Sequence, residues 1–162
     1  MGDAKAKRAL LADWWRDLMP RYSVSILRQG TAMTKADVSR QLNRLLAGRT
    51  FGLSVYVLFA QAEDQVLPMY IGKAESPLRR WEQHADGWCR GVRSYAQWRA
   101  VLLDGDGLAR QDLALLVVPE SAIGRPPIPG FPTTVGAVEY QLVGLVEDAF
   151  PGCLLNHEGK GR

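Results

Sequence analysis

Tyr70, Lys73, Arg80 and His84 bring a phenol, two cations and a titratable imidazole into one short stretch of chain. Hydrolysis of a phosphodiester needs an activated water, stabilisation of charge on the phosphoryl oxygens and help for the departing 3′ oxygen. Arginine is permanently protonated and presents a planar fork of donors, so Arg80 suits the charge that develops on non-bridging oxygens. A phenol of pKa about 10 is a poor base at neutral pH, and a neighbouring cation lowers that value. Tyr70, or Tyr56 further upstream, is therefore the candidate base or water-orienting group. Lys73 and His84 are the candidates for tuning it or relaying its proton.

These groups need a strand and a helix to hold them. The apolar run from Leu67 to Gly72 contains aromatic and β-branched residues and predicts a strand that Gly72 ends or kinks. Ser76-Pro77 reads as an N-cap followed by proline at the first helical position. In the helix that begins at Pro77, Leu78, Trp81 and Ala85 form the apolar stripe, while Arg80 and His84, four apart, are rotated away from it. Leu53 to Ala60 predicts a second strand, joined to the first by a hairpin loop around Glu63-Asp64. A loop centred near Glu63 sets Tyr56 opposite Tyr70, with Ser54, Tyr56 and Leu58 on one face and Val55, Val57 and Phe59 on the other.

A carboxylate joins the set from much later in the sequence. Val135, Val138, Leu142, Val146 and Ala149 recur at helical spacing, and Glu139 falls within that apolar stripe, whereas Glu147 and Asp148 read as its outer side. Burying a carboxylate costs several kcal/mol unless it is paired or coordinated. Two readings follow: a salt bridge to Arg80, or a ligand for a hard divalent cation at a cleft. Magnesium takes few protein ligands and keeps several waters, so one carboxylate suffices, and manganese is a plausible substitute.

The rest of the chain bounds the answer. With 162 residues, 47% of them hydrophobic, one compact unit with a sizeable core is expected, and no run is apolar enough to span a membrane. No secretory signal is evident, because Asp13, Arg16 and Asp17 interrupt the segment after the charged start, so a cytoplasmic location is expected. Cys89 and Cys153 make neither a close metal pair nor a disulfide framework. A net charge of +3 favours a polyanionic partner only slightly, but its distribution is more informative. Arg90, Arg93 and Arg99 are interleaved with Trp88, Tyr95 and Trp98, offering cations for phosphates and rings for bases, although Trp98 and Leu102 also fit a core stripe.

Residues 1–50 read as a helical extension: an amphipathic helix from Ala9 to Met19 closed by Pro20, then a helix capped by Thr34 and ending near Gly48. Leu113 to Val118 predicts a third strand, and Pro119 to Pro132 an irregular loop in which Arg125 can reach substrate. The fold class is thus mixed α/β: a small antiparallel sheet of about three strands flanked by helices, spanning 51–162, with the helical extension packed on it.

The order Ser54-Val55-Tyr56, Tyr70-Ile71-Gly72, Arg80 and His84, then Glu139 and Asn156, resembles the GIY-YIG nuclease superfamily from about Gly52 to Asn156. The first motif has serine and valine where that family usually has glycine and isoleucine. The resemblance implies a magnesium-dependent endonuclease in which Tyr56, Tyr70, Lys73, Arg80, His84 and Glu139 act on the phosphodiester and Asn156 braces the site by hydrogen bonding. DNA is the expected partner, with RNA as the alternative. The segment from Asn156 to Arg162 resembles a basic, glycine-rich segment of the restriction-endonuclease branch, in which Lys160 and Arg162 would grip phosphates. Recognition is then expected from the domain itself, from a second copy or from a protein partner. The competing expectation is a nucleic-acid-binding module on the same scaffold that does not cut.

Overall fold

The computed structural model of the protein describes residues 2–156. Thr34 takes an extended backbone and its hydroxyl accepts the Asp37 amide at 3.1 Å, starting helix α3 (Lys35–Leu46) where the sequence predicts it. Proline opens α4 (Pro77–Arg90) and Gly91, at φ 66°, closes it in the left-handed region with its amide on the Gly87 carbonyl. Ser76 occupies the N-cap position without using its side chain as a cap. The apolar, β-branched runs form β2 (Ser54–Ala62), β3 (Gln65–Ala74) and β4 (Leu113–Pro119).

The N-terminal region departs from the all-helical expectation. Helix α1 (Gly2–Arg16) and the short α2 (Met19–Tyr22) lead into a strand, β1 (Ser23–Leu27). Pro20 sits inside the first turn of α2 rather than ending α1. β1 pairs antiparallel with β4, so residues 1–50 supply a fourth strand to a sheet expected to have about three. The sheet order is β1-β4-β2-β3, antiparallel throughout, which leaves β3 at one edge.

Both faces of the sheet are covered, giving two cores. On one face Tyr56, Leu58, Leu115 and Val117 meet Val38 and Leu42 of α3, Trp81, Ala85 and Trp88 of α4, and Trp98 of α5 (Tyr95–Leu102). On the other, Val55, Val57, Phe59, Leu116 and Val118 meet Leu11 and Trp14 of α1 and the stripe Val135, Val138, Leu142, Val146 and Ala149 of α6 (Val135–Ala149). Burying the sheet on both sides explains why β2 reads as a continuous apolar run and not as an alternation. After β4, the Pro119 to Pro132 segment is irregular apart from one 3₁₀ turn, Glu120–Ala122. Gln141 pins that segment from α6, accepting the Ile128 amide at 3.1 Å and donating to the Pro132 carbonyl at 2.8 Å. No helix among the described residues is long and apolar enough to cross a membrane.

Candidate active site

The hairpin of β2 and β3 sets the positions of the two phenols through an irregularity that the sequence does not announce. Pairing runs evenly from Ala62↔Gln65 to Phe59↔Pro68, then slips by one residue, so that Leu58 faces Tyr70 and Tyr56 faces Gly72. Met69 is the extra residue of this β-bulge. Tyr56 is therefore not opposite Tyr70 as expected, but diagonal to it. Without the slip Tyr56 would face Ile71, and the side-chain alternation would send Tyr70 to the other side of the sheet. With it, the rings lie on one face with centroids 6.2 Å apart and planes 20° from parallel. Gly72 does not end the strand: a Cβ there would fall 2.5 Å from the Tyr56 phenol oxygen, so the missing side chain is what admits the phenol.

Helix α4 brings Arg80 and His84 to the same place. His84 is buried at 2% exposure, between rings, stacked on Trp98 at 5.3 Å. Its Nε2 lies 3.1 Å from the Tyr56 hydroxyl and its Nδ1 2.7 Å from the Tyr95 hydroxyl. Burial, reinforced by the Arg80 charge, pushes the imidazole down to about 3, so it is neutral at physiological pH. Burial also pushes the Tyr56 phenol upward, and the neighbouring Tyr70 adds to this. The Arg80 charge pulls the other way but does not win. The expectation that a nearby cation leaves a lowered phenol pKa therefore fails for Tyr56, because desolvation of the phenolate outweighs the guanidinium.

Helix α6 closes the other side. Glu139 is on the margin of the buried stripe, not within it: its side chain is 27% exposed and its Oε1 lies 3.7 Å from Lys73 Nζ. Among the described residues its ion pair is with Lys73 and not with Arg80, the partner in one of the two readings. Glu147, two turns on, shares that flank and lines the cleft, contrary to the outward position read from the pattern. One of its carboxylate oxygens is buried with no hydrogen-bond partner among the described residues. Asp148 does face outward, where it pairs with Lys7 of α1.

Asn156 braces the free edge of β3. Its Oδ1 accepts the Ile71 amide at 3.0 Å and its Nδ2 donates to the Ile71 carbonyl at 2.6 Å. Next to it the Leu155 amide donates to the carbonyl of Met69, the bulged residue, at 2.7 Å. Together these bonds fix the segment that carries Tyr70 and Lys73.

Tyr56, Tyr70, Lys73, Arg80, His84, Glu139 and Asn156 all line one cleft of about 700 Å³. The described arginines assigned to nucleic acid lie outside it, and three of the four are engaged elsewhere. Arg90 pairs with Asp86 at 3.3 Å, and Arg99 donates to the last carbonyls of α4, Trp88 and Cys89. Arg125 is held to Asp13 of α1, bonding both its carboxylate and its carbonyl at 2.7 Å, and Arg93 is exposed. Trp88 and Trp98 are core residues, not a stacking surface. Lys160 and Arg162 lie outside the described residues.

The sequence reading missed three cleft residues: Tyr95 as the second partner of His84, Glu147, and Tyr140, which stands 69% exposed at the rim between Gly136 and Gly144. Gly87, in the last turn of α4, is the available signal for Tyr95. A Cβ there would fall 2.3 Å from the Tyr95 ring.

No protein-family model matches this chain, and neither a curated protein nor a solved structure matches it significantly.

The donor set suits a hard cation held by one carboxylate and completed by water and phosphate oxygens, since Glu139 faces the cleft and is open to solvent. Among the described residues no cluster of three or more potential ligands is assembled. What the cleft supplies from its own side chains is a guanidinium, an ammonium, four phenols and a neutral imidazole, a set that can hold an anionic oxygen and pass a proton.

Proposed function

We propose that the protein is a metal-dependent endonuclease of the GIY-YIG type, hydrolysing phosphodiester bonds in DNA by direct attack of water. The observation that carries this reading is the convergence of all seven residues, drawn from two strands, two helices and the segment after α6, on one cleft.

In this reading the scissile phosphate sits between α4 and α6. Arg80 donates to a non-bridging oxygen, adding positive charge where negative charge develops in the transition state. The Tyr56 hydroxyl orients the attacking water and takes its proton while passing its own to the neutral Nε2 of His84. Tyr70 stacks beside Tyr56 and narrows the space the water can occupy. Lys73 holds the Glu139 carboxylate in place and adds a second cation near the leaving side. Glu139 would hold the divalent ion, which when bound stabilises the charge of the departing 3′ oxygen. Asn156 keeps β3 in register so that Tyr70 and Lys73 stay in the cleft.

Tyr140 supplies a place for the substrate beyond the phosphate. It projects from α6 between Gly136 and Gly144, and around Gly144 there is open space, so the helix surface beside the ring is bare. A base can lie there against the phenol face.

The test is incubation of purified protein with plasmid and magnesium, beside Tyr70→Phe, Arg80→Ala and Glu139→Ala. Cleavage by the wild type and loss in each variant is the expected result. Full cleavage by Glu139→Ala removes the carboxylate from the metal assignment, and tight DNA binding without cleavage under varied metals turns the assignment to a non-cutting binding module.

A further inference from the structure

We infer that Tyr95 is a positioning residue that fixes the tautomer of His84 and connects the buried Tyr56 to solvent, forming a relay Tyr56–His84–Tyr95. This inference rests on the nuclease reading above and assigns a residue that the reading does not use.

The geometry is a continuous line of polar atoms in an otherwise aromatic environment. Tyr56 is 1% exposed and lies 3.1 Å from Nε2 of His84, and Nδ1 of the same ring lies 2.7 Å from the hydroxyl of the partly exposed Tyr95. The rings of Trp81 and Trp98 pack on the imidazole, both buried, with no hydroxyl to offer. A neutral imidazole carries one N–H and one lone pair, so two tautomers can satisfy the two phenols. Tyr56 decides between them. The Arg80 charge lies close to it, so the lone pairs of its oxygen are best turned toward the guanidinium and its hydrogen toward Nε2, 3.1 Å away. That leaves Nδ1–H to donate to the oxygen of the partly exposed Tyr95, whose own hydrogen is then left for solvent.

Neither buried member can store charge. The imidazole is held down to about 3 and the phenol of Tyr56 is pushed up, both by burial, so an imidazolium or a phenolate resting in the cleft is disfavoured. The proton has to pass through in one movement. As the attacking water bonds to phosphorus, its proton goes to the Tyr56 oxygen, the Tyr56 proton to Nε2, the Nδ1 proton to the Tyr95 oxygen and the Tyr95 proton to solvent. Each group ends with the charge it began with, and His84 ends as its other tautomer. The reverse shift with solvent restores it once product has left.

Gly87 is the residue that allows this contact. Any side chain at 87 would collide with the Tyr95 ring, and a glycine within a helix costs about 1 kcal/mol relative to alanine, so its presence there favours close approach of Tyr95 over helix stability.

The experiment pairs ¹⁵N NMR of the imidazoles with magnesium-dependent cleavage, for the wild type and Tyr95→Phe. The sequence has two histidines, His84 and His157, so the signals are readily assigned. Expected are an Nδ1–H tautomer of His84 in the wild type, a shift toward Nε2–H in Tyr95→Phe, a fall in kcat of about ten-fold or more with KM unchanged, and a smaller solvent isotope effect. An Nε2–H tautomer in the wild type overturns the assignment. So does an active wild type whose kcat and isotope effect are unmoved by Tyr95→Phe. A wild type that cuts no DNA overturns the nuclease reading, a separate failure, and leaves the relay no reaction to serve.

Discussion

The phenol of Tyr56 lies across the backbone of Gly72, its partner on the neighbouring strand, and occupies the space a side chain at 72 would take. An alanine methyl would sit 2.5 Å from the hydroxyl oxygen, and the ring behind it is fully buried, so it has nowhere to retreat. Gly72→Ala is expected to destabilise the fold by about 1–3 kcal/mol and to displace the hydroxyl from His84. Denaturant unfolding measures the first effect. Cleavage under conditions where the variant remains folded measures the second, and wild-type activity there would show that the Tyr56–His84 bond is dispensable.

Acid should weaken the protein through His84. The folded imidazole stays neutral until about pH 3, whereas the unfolded one takes up a proton below its ordinary 6.5. Between these values the unfolded state binds more protons, so the contribution is complete above about 6.5 and is lost as the pH falls toward 3. Between pH 7 and pH 5 this amounts to about 2 kcal/mol. Denaturant unfolding at the two pH values should show that loss in the wild type and much less in His84→Gln. Equal losses in both would place the acid sensitivity elsewhere.

Glu139→Gln should separate activity from stability. The pair with Lys73 is partly exposed at both ends, and such pairs are worth about 0–1 kcal/mol. Thermal unfolding should therefore shift by only a few degrees while magnesium-dependent cleavage is lost. A large drop in Tm together with the loss of cleavage would instead make the carboxylate a structural element.

Tyr140→Ala should act on substrate binding alone. Stacking of a base on an aromatic ring is worth about 1–3 kcal/mol, so KM is expected to rise by about five-fold to 150-fold with kcat nearly unchanged. Tyr140→Phe keeps the ring and should behave as wild type. A matching loss in Tyr140→Phe would point to the hydroxyl and not to stacking.

Local signals carried much of the fold. The Thr34 cap, the Ser76-Pro77 opening of α4, the two strands around Glu63-Asp64 and the α6 stripe all correspond to elements, because each depends on bonds or spacing within a few residues. Ser23–Leu27 is not legible as a strand although Ser-Val-Ser-Ile alternates, since five residues directly after a helix form such an element only when β4 is there to pair with. The bulge at Met69 is invisible for a related reason: register is a property of two strands and of the Leu155 amide that takes the Met69 carbonyl. The same gap misplaced Glu147. Helical periodicity gives the buried stripe but not what packs beside it, and here the flank next to the stripe faces a cleft and not solvent. Chemistry-bearing residue types with their spacing were legible; their pairwise partners, Lys73 for Glu139 and Tyr95 for His84, required the third dimension.

The brace between Asn156 and Ile71 spans 85 positions of sequence, far more than the β2–β3 hairpin it supports. Leu154 and Leu155, which precede Asn156, are buried one in each core, so until the end of the chain has docked on both cores there is an interval in which the outer edge of β3 is unpaired. During that interval the edge is a strand able to recruit another chain, and the cleft lacks one wall. Completion of the site is in this sense a late event in folding, and a chain cut short before residue 156 is expected to reach a compact state that is both inactive and prone to self-association.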